Sequence, residues 1–229
     1  MDSMAIKFLG KFLAAVSPLA KMLSAAAALF VVLAAQLPAQ AEPFNIVGFG
    51  DSLMAGYELG PGEGFTDRLQ AALRERGHEV TVANAGVSGD TTSGGLSRLD
   101  WSVPDGTDLV ILELGANDML RGVAPASTEK NLEEIITRLK ARDIRILLVG
   151  MYAAPNLGPD YQQAFNSIYP RLAEKHELPL VPFFLEGVAG NASLQLADGM
   201  HPNAQGIDLM VKNVLPEVEL LLQGDKPNM

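Results

Sequence analysis

Residues 43–52 read PFNIVGFGDS, and the order of residues in that stretch decides the fold. Phe44, Ile46, Val47 and Phe49 form an apolar run without strict alternation. That is the pattern of a strand buried on both faces of a parallel sheet. The run then meets Gly50, Asp51 and Ser52, which are a flexible residue, an acid and a hydroxyl. Outward from here the chain repeats the arrangement. EVTVANAG (79–86), DLVILELG (108–115), IRILLVGM (144–151) and LPLVPFF (178–184) are further strand-like runs. Segments of helical period lie between them. GFTDRLQAALRERG (64–77) sets Phe65, Leu69, Ala72 and Leu73 on one stripe and stops at Gly77. STEKNLEEIITRLKARD (127–143) opens on Ser127 or Thr128 as cap, with Leu132, Ile135, Ile136 and Leu139 on one face. YQQAFNSIYPRLAEKHE (161–177) contains Pro170, which predicts a kink or two shorter helices. NAQGIDLMVKNVLPEVELLLQ (203–223) carries Pro216, which predicts a bend.

Strands alternating with helices predict a three-layer α/β/α domain. Five strands joined by right-handed crossovers predict a parallel sheet in the flavodoxin-like order 2-1-3-4-5.

The first 41 residues read differently. Lys7, Lys11 and Lys21 precede an apolar run from Met22 to Ala35, and LPAQA follows, ending at Ala41. A basic start, an apolar centre and an Ala39-Gln40-Ala41 end predict a secretory signal peptide over residues 1–41, cleaved near Ala41. The competing reading, a transmembrane anchor, needs roughly 20 apolar residues, more than this run provides. The expected product is one domain over residues 42–229, periplasmic or secreted, with no stable membrane anchor after cleavage. It keeps 14 basic and 26 acidic residues, a net charge of −12. Such a surface repels phosphate backbones, so nucleic acid is excluded as a partner. The chain has no cysteine, which removes thiol nucleophiles and thiolate metal sites. Nothing in the pattern demands more than a monomer.

In open parallel sheets, function collects beyond the carboxyl ends of the strands. Those ends here carry Gly50-Asp51-Ser52, then Asn84 to Asp90, then Gly115-Ala116-Asn117-Asp118, then Met151-Tyr152. Ser52 is the candidate nucleophile, and a serine hydroxyl needs a neighbouring base. Three histidines are available. His78 and His176 each precede a strand and so belong to the opposite edge, which leaves His201. Asp198 lies three residues earlier with Gly199 between, so a turn brings its carboxylate onto the imidazole. A developing oxyanion needs donors. The Ser52 and Gly86 backbone N–H groups and the Asn117 side-chain amide sit at three adjacent strand ends. Met119, Leu120, Val123, Met151, Tyr152, Pro155 and Leu157 follow the third and fourth strands and are candidate contacts for an acyl or aryl group. Asp51 and Asp118 are read as structural, holding loops and helix starts through backbone N–H groups.

The strings GDSLMAGY, NAGVSGDTT, LGANDMLRG and DGMHPN resemble, in order and spacing, the four blocks of the SGNH or GDSL hydrolases. They are most similar to the bacterial exported branch of thioesterases, lysophospholipases and arylesterases. The resemblance implies a serine esterase acting on ester or thioester bonds through an acyl-enzyme on Ser52, with no metal and no cofactor. In it His201 is the base and then the acid, Asp198 its orienting partner, and Ser52, Gly86 and Asn117 the oxyanion hole. The expected partner is a small acyl or aryl ester. The elbow G-x-S-x-G of the α/β-hydrolases is absent, since residue 54 is Met. Three alternatives stand beside this reading. One is a carbohydrate-acyl esterase on the same fold. Another is a metal-dependent phosphoester hydrolase holding Mg²⁺ on Asp51, Asp90 and Asp118. The third is a non-catalytic binding protein on the same scaffold.

Overall fold

A computed structural model of the chain describes residues 43–223. The signal peptide expected over residues 1–41 lies outside the described residues. Five strands, β1 (Phe44–Gly50), β2 (Val80–Gly86), β3 (Leu109–Glu113), β4 (Arg145–Val149) and β5 (Leu180–Val181), form one sheet in the order β2-β1-β3-β4-β5. Every pairing is parallel. The order is the expected one. Gly50 pairs with Gly86, and Phe49 pairs with Leu112, so the polar sequences after β1, β2 and β3 emerge side by side. β5 is shorter than its apolar run because Pro182 follows Val181 and offers no ladder donor.

Helices cover both faces. α1 (Ser52–Ala55) leaves β1 at once, and α2 (Phe65–Glu75) follows. Gly48 faces Thr66 of α2, and its neighbour Phe49 faces Gly95 of α3 (Thr92–Ser102). Successive strand residues point to opposite faces, so α2 and α3 lie on opposite sides of the sheet. The sequence pattern did not reveal α3: Gly94 and Gly95 stand in its first turn and weaken its local preference. After β3 come α4 (Ala116–Leu120) and α5 (Pro125–Lys140). α5 begins earlier than expected, with Pro125 at its start, where a missing N–H costs nothing. Ser127 and Thr128 therefore lie inside the helix rather than at its cap. The Pro170 segment divides into α6 (Pro159–Asn166) and α7 (Ile168–His176). The break falls at Ser167, which leaves Pro170 in the first turn of α7, where it is tolerated. α8 (Ala204–Gln223) closes the described chain with Pro216 inside it. The core is one continuous set of buried side chains, from Phe49 and Leu112 in the sheet to Phe65, Leu139, Phe165 and Met210 on the helices.

Candidate active site

Ser52 opens α1, directly after Asp51, whose carboxylate accepts the Leu53 N–H at 3.0 Å and caps the helix. This fixes the serine at the carboxyl end of β1, with its hydroxyl above the sheet edge. Gly86 makes the placement possible. A Cβ there would lie 2.3 Å from the backbone nitrogen of Ala55, so a larger residue would push α1 away from β2.

His201 arrives from 149 positions away and sets Nε2 2.8 Å from Ser52 Oγ. Its Nδ1 lies 2.6 Å from Asp198 Oδ2. The other Asp198 oxygen accepts the Met200 and His201 N–H groups at 2.9 and 3.0 Å. Those bonds, led by the one to the imidazole, hold Asp198 down at about 2. An ionised carboxylate only accepts, so Nδ1 carries the ring proton and Nε2 is free to accept from the serine hydroxyl. The loop that carries these residues is tied at its neck. Gln195 bridges Pro202, the Leu196 N–H donates to His201 O at 2.8 Å, and Asn203 caps α8 by accepting the Gly206 N–H at 3.0 Å. Tyr57 lies against the imidazole, ring centroids 4.5 Å apart.

The candidate donors converge on the same edge. Asn117, in the first turn of α4, gives one amide hydrogen to Asp51 Oδ2 at 3.0 Å; the second remains for a ligand. The Gly86 N–H donates to Asn84 Oδ1 at 2.9 Å, so an incoming oxyanion has to share or displace that contact. The Ser52 N–H, at the first position of a helix, has no carbonyl one turn back to bind.

The three acids weighed as magnesium ligands are each engaged elsewhere. Asp51 takes Leu53 and Asn117. Asp90 pairs with Arg98 at 2.5 Å. Asp118 accepts the Thr92 N–H at 2.7 Å and the Thr92 and Thr128 hydroxyls, joining α4 to the start of α3 and to α5. His78 and His176 stay at the far end, near Glu219 and Glu133 respectively.

A cavity of about 340 Å³ opens beside Ser52 and His201. Of the expected contacts, Met119, Leu120 and Met151 line it. Val123, Tyr152, Pro155 and Leu157 do not: Tyr152 stacks on Phe183 with centroids 4.7 Å apart, the Val123 carbonyl accepts from Tyr161, Pro155 begins a short 3-10 turn, and Leu157 packs on the core. Tyr57, Leu185 and Met200 complete the apolar wall. Sequence reasoning passed over them because each lies in a loop whose direction is set by packing rather than by period.

Two buried charged residues were also missed. Arg98 is 6 % exposed. It donates to the carbonyls of Gly50 and Ala85 at 2.9 and 2.8 Å, and its guanidinium sits 4.2 Å over the Phe49 ring. It thus clamps the ends of β1 and β2. Glu113 closes β3 at 1 % exposure, and its Oε2 accepts the Asp51 N–H at 3.2 Å. Glu113 is the lone charge at the end of an otherwise apolar strand, whereas Arg98 lies in the helix that the sequence pattern did not reveal.

Residues 49–209 match the GDSL-like Lipase/Acylhydrolase family. Esterase TesA of Pseudomonas aeruginosa is 39% identical over 187 residues, 81% of this chain and 93% of that protein. Thioesterase 1/protease 1/lysophospholipase L1 of Escherichia coli K12 is 37% identical over 195 residues, 83% of this chain and 91% of that protein. The crystal structure of AlinE4, an SGNH-hydrolase family esterase, superposes with a TM-score of 0.68 at 47% identity, covering 80% of this chain and 99% of that one. The sheet order, the serine at the end of β1 and these matches together make this chain a member of the GDSL-like lipase/acylhydrolase family.

Proposed function

We propose that the protein is a serine esterase that cleaves carboxylic ester or thioester bonds through an acyl-enzyme on Ser52. The observation that carries this reading is the unbroken line Ser52 Oγ, His201 Nε2, His201 Nδ1, Asp198 Oδ2, with gaps of 2.8 and 2.6 Å. Ser52 Oγ attacks the acyl carbon while His201 Nε2 takes its proton. Asp198 holds the imidazolium that results and keeps its ring oriented. The tetrahedral oxyanion is received by the free Asn117 amide hydrogen with the Ser52 and Gly86 N–H groups. Collapse expels the alcohol or thiol, which leaves with the proton from His201. Water then enters, gives its proton to Nε2, attacks the acyl-enzyme and returns the free acid, and Ser52 recovers its hydrogen. The apolar wall of Met119, Leu120, Met151, Leu185 and Met200 suits an acyl or aryl group better than a sugar.

The enzyme works as a monomer on small substrates, and residues 1–41 direct export to the periplasm or beyond. Among the described residues no helix is long and apolar enough to cross a membrane. The amino-terminal sequence of the exported protein, expected to start at Glu42, tests the leader.

The activity is tested with p-nitrophenyl butyrate and a fluorophosphonate probe. The probe should attach to Ser52, and Ser52→Ala should lower kcat by about 10⁴-fold or more. Wild-type turnover by Ser52→Ala would end the proposal.

A further inference from the structure

Glu113 is the one charged residue of β3, and it lies among side chains with no contact to water. Its Oε2 accepts the Asp51 N–H, but its Oε1 is buried with no hydrogen-bond partner among the described residues. An ionised carboxylate left that way is costly. The site is nevertheless shaped to hold the group. A Cβ on Gly50 would come within 2.5 Å of Glu113 Oε2 and 2.6 Å of its carbonyl oxygen, so the glycine of the Gly50-Asp51-Ser52 turn leaves room for this acid. Asp51 stands between Glu113 and the reaction. Its Oδ1 holds the Leu53 N–H and its Oδ2 holds the Asn117 amide, each at 3.0 Å.

We propose that Glu113 is a positioning residue for the oxyanion donor, a neutral carboxylic acid that hydrogen-bonds to Asp51 and keeps the Asp51 carboxylate on the Asn117 amide. This rests on the esterase reading and deepens it. The acid form supplies a donor where the carboxylate has only acceptors, and the Asp51 side chain is the hydrogen-bonding carboxylate beside it. Burial first, and then the Asp51 charge, drive Glu113 well above the ordinary carboxylic range. Asp51 is lifted less, to about 6, because the Leu53 N–H, the Asn117 amide and His201 offset its burial. Two negative charges this close in a buried site disfavour each other, and the carboxylate that faces Asn117 is that of Asp51. The charged and titratable groups packed around it are Arg98 from α3, Asp118 from α4, Tyr169 from α7, and His201. Asn117 binds the oxyanion only as it forms, so a misaligned amide lowers kcat and leaves KM alone.

Glu113→Gln reproduces the neutral acid, with one donor and one acceptor, and should keep kcat for p-nitrophenyl butyrate at pH 8 within about threefold of wild type. Glu113→Leu suits an apolar strand but leaves the Asp51 N–H without its acceptor, and should lower kcat about 10- to 100-fold at unchanged KM while the protein stays folded. The infrared spectrum of the wild-type protein at pH 8 should show a protonated carboxyl stretch that Glu113→Gln lacks. Wild-type kcat in folded Glu113→Leu, an equal loss in Glu113→Gln, or no such band in the wild type would each overturn the proposal. The band stays decisive even if Glu113→Leu does not fold. Fluorophosphonate labelling of Ser52 and loss of turnover in Ser52→Ala, run in parallel, separate a failure here from a failure of the esterase reading.

Discussion

Asn117 shows how much a single side chain does here. Its amide has two hydrogens: one is held by Asp51 at 3.0 Å, and the other is left for a ligand in the cavity that Asn117 and Ser52 both line. Removing the side chain deletes the proposed oxyanion donor and leaves Asp51 with one bond fewer. Asn117→Ala should lower kcat by about 10²–10³-fold with little change in KM. Steady-state kinetics on p-nitrophenyl butyrate checks this, and a rise in KM at constant kcat would point instead to substrate contact. Asn117 and Ser52 were legible in the sequence because each lies in the short stretch of small and polar residues that follows an apolar strand run. Glu113 was hidden by the same rule: it sits inside the run, and the apolar majority masks it.

The elements meet at the ends of β1 and β2, where Arg98 reaches in from α3. It supplies donors to two carbonyls of different strands and pairs with Asp90, whose side chain is itself largely buried. Truncation would strand the Asp90 charge and both carbonyls. Arg98→Met should cost about 3–5 kcal/mol of stability, read from urea unfolding. Arg98→Lys should recover little, since an ammonium lacks the fork that reaches Asp90, Ala85, Ser102 and Gly50 together. A loss below about 1 kcal/mol for Arg98→Met would show that the clamp does not hold the strand ends. By contrast, pairs such as Arg171–Glu129 on α7 and α5 lie on the exposed surface, where each contributes little.

Across the whole molecule, carboxylates shifted in opposite directions give stability opposite dependences on pH, with Glu113 raised alongside Asp51. Asp198 falls from 3.8 to about 2 on folding, so its contribution is full above about pH 4 and is lost as pH drops toward 2. Asp51 rises from 3.8 to about 6 through burial, so the folded state holds its proton more tightly. Its contribution is full below about pH 4 and is lost as pH climbs through 6. The urea midpoint of the wild type should therefore fall between about pH 4 and 7, and Asp51→Asn should flatten that decline. Parallel wild-type and variant slopes over this window would show that Asp51 is not the group responsible.

By itself the sequence determined the layer architecture, the strand order and the edge on which the chemistry gathers. Strand and helix periods are set by local backbone geometry, and right-handed crossovers leave few ways to arrange five such units. It also singled out His201 as the histidine on the edge of Ser52, because the other two fall at the wrong ends of their elements. Only the tertiary structure decided the distances: 2.8 Å between atoms 149 residues apart, an apolar wall completed by Leu185 and Met200, and a buried acid behind Ser52. Those follow from how loops and side chains from distant segments pack together, and no local pattern records which neighbours a side chain will meet.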